Sequence, residues 1–123
     1  MILGIGIDLC DVARMCTALE KDDRFLTRYF TASEQAYICH KNKAMDESMA
    51  GHYAAKEAGL KALGCGIVLP LTDIAVWHNA QGTPRFVLSG EALSRMHALG
   101  GRTMHLSITH VGGMAAAVAI LED

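Results

Sequence analysis

Residues 2–9, ILGIGIDL, alternate. Leu3, Ile5, Ile7 and Leu9 fall on one side; Ile2, Gly4, Gly6 and Asp8 fall on the other. A period of two predicts a strand. Gly4 and Gly6 leave one side bare, which lets another backbone or a ligand come close. Asp8 stands at the strand's end on that bare side. Val12 to about Lys21 predicts a short helix capped by Asp11. Thr31 and Glu34, in TASE, form a capping-box pattern for a helix reaching about His40. The polar link KNKAMDES then leads to the longest predicted helix, about 47–63. Asp46 or Ser48 can cap it, Gly64 stands at the left-handed position that closes it, and Gly66 keeps the exit flexible. Residues 71–78 predict a strand, NAQGTP a turn and RFVL a returning strand. Ser89 is placed to cap a helix that stops at Gly100 and Gly101. Residues 103–110 and 114–121 predict two last strands joined by the VGG turn. This order implies a single α+β domain over residues 1–123: a mainly antiparallel sheet with helices packed on it.

Composition agrees with that outline. A chain of 123 residues is one domain's worth, and its core is small enough for oligomerisation to help it. Hydrophobic residues make up 51% and charged residues 20%, a globular profile. The longest apolar run, Met114 to Leu121, is far short of the roughly 20 residues that span a bilayer. The apolar N-terminus lacks a basic leader and meets Asp8, so it is not read as a signal peptide. A cytoplasmic location is expected, with no membrane partner. Cys10, Cys16, Cys39 and Cys65 have no C-x-x-C spacing and read as free thiols. The net charge of −2 argues against a nucleic-acid partner. The charge is uneven, however. Arg14, Lys21, Arg24, Arg28, Lys41 and Lys43 crowd the first third, either as a solvated face or as a basic surface for an acidic partner.

The long helix carries the first candidate chemistry. Tyr53, Glu57 and Lys61 lie four apart and share a stripe. An ordinary surface pair between Glu57 and Lys61 would have the same spacing. Asp8 adds a second carboxylate, at a strand end beside glycines. Two oxygen donors without thiolate or imidazole partners suit Mg²⁺, which completes its shell with water and substrate phosphates. Lys61, one turn beyond Glu57, is placed to meet a phosphate oxygen. The strand HLSITH adds Ser107, Thr109 and His110, as hairpin filler or as ligand contacts. There is no G-x-S-x-G elbow to support a serine hydrolase.

Four stretches, in order, carry a resemblance: GIGIDLCDVAR, AGHYAAKEAGLKALGCG, GTPRFVLSGEA and HLSITHVGGMAAAVAILE. Together they span nearly the whole chain, which resembles the holo-acyl-carrier-protein synthase family of small bacterial phosphopantetheinyl transferases. The resemblance implies transfer of the 4′-phosphopantetheine arm of coenzyme A to a serine of apo acyl carrier protein. The reaction would be Mg²⁺-dependent, would release adenosine 3′,5′-bisphosphate and would support fatty acid synthesis. It implies an α+β fold and a homotrimer with active sites at subunit interfaces. It places the metal carboxylates on Asp8 and Glu57, with Lys61 as a third catalytic residue and Glu57 as candidate base. Cofactor contacts fall on Lys56, Lys61, Gly64, Gly66, Pro84, Thr109 and His110, with Thr109 and His110 expected from a neighbouring subunit. The carrier surface, expected on the first helix, falls on Arg14, Lys21, Arg24, Phe25 and Arg28.

Three positions depart from the family pattern. His52 and Tyr53 stand where many relatives have arginine and phenylalanine. If that arginine holds a coenzyme A phosphate, His52 makes binding weaker and pH-dependent, since imidazole titrates near ~6.5. Leu60 removes a hydroxyl that some relatives carry. Three other readings stay open at this stage: a transferase for polyketide or peptide carriers, a coenzyme A-binding module without catalysis, and a structural trimer in which Glu57–Lys61 is a surface pair.

Overall fold

The computed structural model describes residues 1–66 and 68–123. Its elements are β1 (Ile2–Asp11), α1 (Val12–Lys21), α2 (Phe25–Tyr29), α3 (Ala32–His40), α4 (Met45–Ala62), β2 (Ile74–His78), β3 (Pro84–Leu88), α5 (Gly90–Ala98), β4 (Thr103–Val111) and β5 (Met114–Glu122). All strand pairs are antiparallel, but they make two sheets rather than one. β1-β5-β4 form the larger and β2-β3 a hairpin.

The glycines of β1 explain how α4 comes to lie against the larger sheet. A Cβ on Gly4 would stand 2.0 Å from the Ala62 carbonyl oxygen, and one on Gly6 would stand 1.9 Å from that of Ala58. The bare side of β1 therefore admits a backbone, the helix itself, and not a ligand. Small side chains continue this contact: Ala54, Ala55, Ala58 and Ala62 on the helix face Ala115, Ala117 and Ala119 of β5, all buried. On the other flank, Gly59 admits the hairpin, with Ile74 and Phe86 both 3.3 Å from where its Cβ would be. With a sheet on either side, α4 is apolar almost all round.

The opposite side of β1 is uncovered. Ile5, Ile7 and Leu9 are 65%, 65% and 66% exposed. In register they stand opposite Ile120, Val118 and Ala116 of β5, so the apolar face extends over two strands.

Several local signals act as their chemistry predicts. Asp11 Oδ1 accepts from the Ala13 and Arg14 amides at 2.9 and 3.4 Å. Thr31 Oγ1 accepts from the Glu34 amide at 3.2 Å, and Glu34 Oε1 accepts from the Thr31 amide at 3.0 Å. Gly64, at φ +70°, closes α4. Its amide donates to the Lys61 carbonyl, and the Cys65 amide reaches back to Leu60, the hydrogen-bond pair of a Schellman motif.

Others differ. Neither Asp46 nor Ser48 caps α4, which begins at Met45 directly after a 3₁₀ turn over Asn42–Ala44. Ser89 precedes α5, but its side chain bonds nothing there. Asp73 caps that helix from a distance, accepting from the Glu91 amide at 3.0 Å. Residues 71–73, expected in a strand, form a 3₁₀ turn instead. The turn aims the Leu71 carbonyl at a buried cation, and the Ile74 carbonyl joins it. The short α2 carried no periodicity long enough to predict. Among the described residues, no helix is long and apolar enough to cross a membrane.

Candidate functional site

Asp8 and Lys61 meet. Asp8 sits near the end of β1, on the side of the strand that carries Gly4 and Gly6 and faces α4. The Lys61 ammonium donates to the Ile7 carbonyl at 2.8 Å and to Asp8 Oδ1 at 3.3 Å. Glu57, one turn back along α4, is half-buried. Its Oε1 is closed to solvent and has no hydrogen-bond partner. Burial pushes the Glu57 carboxyl above its ordinary pKa; the nearby Tyr53 hydroxyl pulls it down, and the charge of Asp8 raises it further. Tyr53 is itself pushed up to about 12, by burial first and then by the charge of Glu57.

An orphaned carboxylate oxygen beside a second carboxylate is costly in an apolar setting. A cation would relieve it. The donors are all hard oxygens, which fits Mg²⁺ and not a soft metal. Among the described residues no third acidic, histidine or cysteine side chain joins them. A cation held by Asp8 and Glu57 would therefore keep most of its shell for water and substrate oxygens.

Lys56 does not lie along a cofactor site, as the resemblance implies, but is 0% exposed. Its Nζ lies 2.6 Å from Glu34 Oε1 and donates to the Leu71 and Ile74 carbonyls at 2.9 and 3.0 Å. Glu34 Oε2 accepts from the Val76 amide at 3.2 Å. This ion pair ties α3, α4 and the hairpin together, and all three of the ammonium's protons are used. Lys56 and Lys61 are five residues apart, about 140° round the helix, so one lysine faces the interior and the other the site.

The remaining predicted contacts lie elsewhere. Pro84 and His110 line a cavity of about 250 Å³ between α3, the start of α4, the β2–β3 hairpin and β4, with Tyr37, Lys41, His52 and His78. His110 Nε2 hydrogen-bonds the Glu47 carbonyl at 2.9 Å. Gly51 makes room for this ring, since a Cβ there would stand 2.7 Å from Nε2. Thr109 points the other way, onto the uncovered sheet face, where it borders a shallow depression with Ile7, Ser107 and Val118. None of Asp8, Glu57, Lys61, Gly64 or Gly66 lines the cavity. One chain thus splits the predicted contacts into a carboxylate–lysine group, a pocket and an exposed sheet face. At Gly66 a Cβ would meet nothing within 4 Å, so packing does not require a glycine there.

His52 and Leu60 both lie inside the fold. His52 is 2% exposed, and its Nδ1 is 2.7 Å from the Ser48 carbonyl. Burial pushes its pKa down to about 4. With that pKa the ring is neutral near pH 7, although it lines the pocket. Leu60 is a core residue. On the basic surface, Arg14 and Lys21 on α1, Arg24 in the turn after it and Arg28 on α2 are all exposed, so the group does not sit on one helix. Arg28 pairs with Asp22 at 3.5 Å. Phe25 is buried among Tyr29, Phe30 and Tyr53. It supports that surface from beneath and offers no apolar contact.

The grouping of Tyr37, His52 and His78 round one pocket had no signal in the sequence, because the three come from three separate elements. The Glu34–Lys56 pair had half a signal. Glu34 was legible as a cap, and nothing local gives its second partner.

Comparison with known proteins bears on the fold and the family. The family model of the 4′-phosphopantetheinyl transferase superfamily matches residues 4–118. The holo-[acyl-carrier-protein] synthase of Treponema denticola is 43% identical over 123 residues, 99% of each chain. The crystal structure of holo-[acyl-carrier-protein] synthase from Neisseria meningitidis superposes with a TM-score of 0.90 at 31% identity, over 100% of both chains. That of Helicobacter pylori, in complex with coenzyme A, superposes at 0.82 with 31% identity, over 96% of this chain and 99% of the other.

Proposed function

The chain belongs to the 4′-phosphopantetheinyl transferase superfamily, and from that premise we propose that it is a holo-acyl-carrier-protein synthase. It moves the phosphopantetheine arm of coenzyme A to a serine of an apo acyl carrier protein. The observation that carries this reading is the half-buried Glu57 carboxylate, its Oε1 without a partner, beside Asp8 and Lys61. A structural surface pair would leave no buried oxygen without a partner.

Asp8 and Glu57 would hold Mg²⁺. Bound there, the ion neutralises charge on the pyrophosphate of coenzyme A. The serine Oγ attacks the phosphorus that carries the pantetheine, and the pyrophosphate P–O bond breaks. Adenosine 3′,5′-bisphosphate leaves with the bond's electron pair. Lys61, exposed and already at the rim of the carboxylates, donates to the departing phosphate. Glu57, directly or through a water, is the candidate to accept the serine proton.

We propose that the working unit is a homotrimer. Ile5, Ile7 and Leu9 make an exposed apolar face on a small domain, as a subunit interface would. A neighbour's pocket, with Pro84 and His110, would then complete the carboxylate–lysine group for the nucleotide end of coenzyme A. Gly64 and Gly66 leave the end of α4 open to it. Thr109, on the face that a neighbour would cover, is the weakest member of the set. Arg14, Lys21, Arg24 and Arg28 form the surface for the acidic carrier. The reaction serves fatty acid synthesis in the cytoplasm.

Intact-mass measurement of an apo carrier incubated with the protein, coenzyme A and Mg²⁺ tests the activity. A gain of roughly 340 Da, the mass of the group, is expected, and none with Asp8→Ala, Glu57→Ala or chelator. No gain on any of several carriers, with folded protein, would overturn the reading.

A further inference from the structure

Two imidazole nitrogens in the wall of the 250 Å³ pocket have nothing to bond. His52 Nδ1 donates to the Ser48 carbonyl at 2.7 Å, so its tautomer is set and Nε2 keeps a lone pair. His52 Nε2 and His78 Nδ1 are both closed to solvent and unpartnered. The two ring centres are 5.0 Å apart, with 44° between the planes. His78 is held in place by Tyr37, stacked on it at 4.0 Å and 4°, and the Lys41 ammonium sits over Tyr37 at 4.7 Å.

Buried polar atoms without partners are rare in proteins and call for an explanation; His52 Nε2 is an acceptor, and His78 Nδ1 is one in the tautomer that carries its proton on Nε2. Both are closed to a sphere the size of a water molecule, and an ion with shorter bonds is the partner their chemistry suits. Imidazole nitrogen binds zinc-type ions at about 2.0–2.1 Å, and two rings set at a tetrahedral angle then have centres about 5 Å apart. The observed separation fits. Metal-binding histidines also donate their other N–H to a carbonyl or carboxylate, which fixes ring and tautomer. His52 does this with Ser48.

We propose that His52 Nε2 and His78 Nδ1 form a site for a divalent transition-metal cation of the zinc, cobalt or nickel type, separate from the oxygen donors Asp8 and Glu57. Nitrogen ligands select these ions against Mg²⁺. Among the described residues no third ligand of the His, Cys, Asp or Glu kind completes a cluster, so the other positions face the pocket and are left to water or a bound anion. Lys41, Lys56 and His110 bring positive charge to the region and Glu34 opposes it, which makes the site a modest binder. If the transferase reading holds, a cation here sits against the nucleotide end of coenzyme A.

Co²⁺ titration of the full chain in excess Mg²⁺, without substrate, tests the site by calorimetry and visible absorption. One Co²⁺ per chain is expected, with a nitrogen–oxygen ligand-field spectrum. His78→Phe and His52→Phe should each weaken binding by about tenfold or more, and Asp8→Ala should leave it unchanged. Titrations unaltered by either histidine change, a cobalt–thiolate charge-transfer band, or no saturable binding would each overturn the proposal. His78 is only half-buried, so its variant remains informative if His52→Phe fails to fold. Because no substrate is present, the result is independent of whether the protein is a transferase.

Discussion

Helix α4 carries two lysines, each set against a carboxylate, and the two pairs have opposite character. Lys56 and Glu34 are sealed inside, 2.6 Å apart, with every available donor of the ammonium bonded. Lys61 and Asp8 meet at 3.3 Å on the surface, and Glu57 beside them has a buried oxygen with no partner. A buried pair with all its bonds made holds elements in place. A half-buried carboxylate left unsatisfied is available to a ligand. The helix therefore anchors itself with one lysine and presents the other.

The largest way to break this contrast is to empty the buried pair by half. Lys56→Met should cost about 3–5 kcal/mol, since it leaves Glu34 buried and uncompensated. Adding Glu34→Gln should recover only part of that loss: it removes the uncompensated charge, but leaves one oxygen where the Thr31 and Val76 amides both donate. Chemical denaturation of the two variants checks both statements. A Lys56→Met protein as stable as the parent would mean that the pair is not the anchor.

The open group should respond in the reverse sense. Glu57→Gln is expected to lower transfer by roughly 10²–10³-fold, while stability stays within about 1 kcal/mol. Initial rates by mass spectrometry, with a thermal melt alongside, separate the two effects.

Acid sharpens the comparison further, since His52 is another buried group with an unsatisfied nitrogen. Its pKa is about 4 in the folded chain against an ordinary 6.5, so between those values the unfolded chain binds the extra proton. The stability from neutral His52 is complete above pH 6.5 and is lost as pH falls toward 4, amounting to about 3 kcal/mol. His78 is lowered in the same direction to about 4 and adds less, being half exposed. Denaturation curves from pH 7 to 4 should show this slope, and His52→Phe should flatten it.

The smallest effect belongs to Gly66. With nothing within 4 Å of its Cβ position, Gly66→Ala should change stability by less than about 0.5 kcal/mol. Any larger loss of activity, read against an unchanged melt, marks the space as one that a ligand needs.

Much of the fold could be read in advance where neighbours in sequence decide the matter. The alternation of residues 2–9, the Asp11 cap, the Thr31–Glu34 capping box and the Gly64 exit are bonds made within one or two turns. The reading failed where the partner is distant. Ser89 was given a cap that Asp73 supplies, and a strand was expected through Leu71, whose carbonyl turns instead to Lys56. Phe25 looked like a surface contact because nothing local reveals that Tyr29, Phe30 and Tyr53 close over it.

The sequence by itself determined most of the element types, the α+β class and, through its ordered motifs, the family. Each rests on short-range periodicity, caps or residue identity. Only the tertiary structure decided which lysine faces the interior, that β1 turns its glycines to α4 and its isoleucines outward, and that His52 is neutral. Those outcomes depend on which surfaces meet and which groups lose water. Residues about 140° apart on a helix learn their roles only when something packs against one of them.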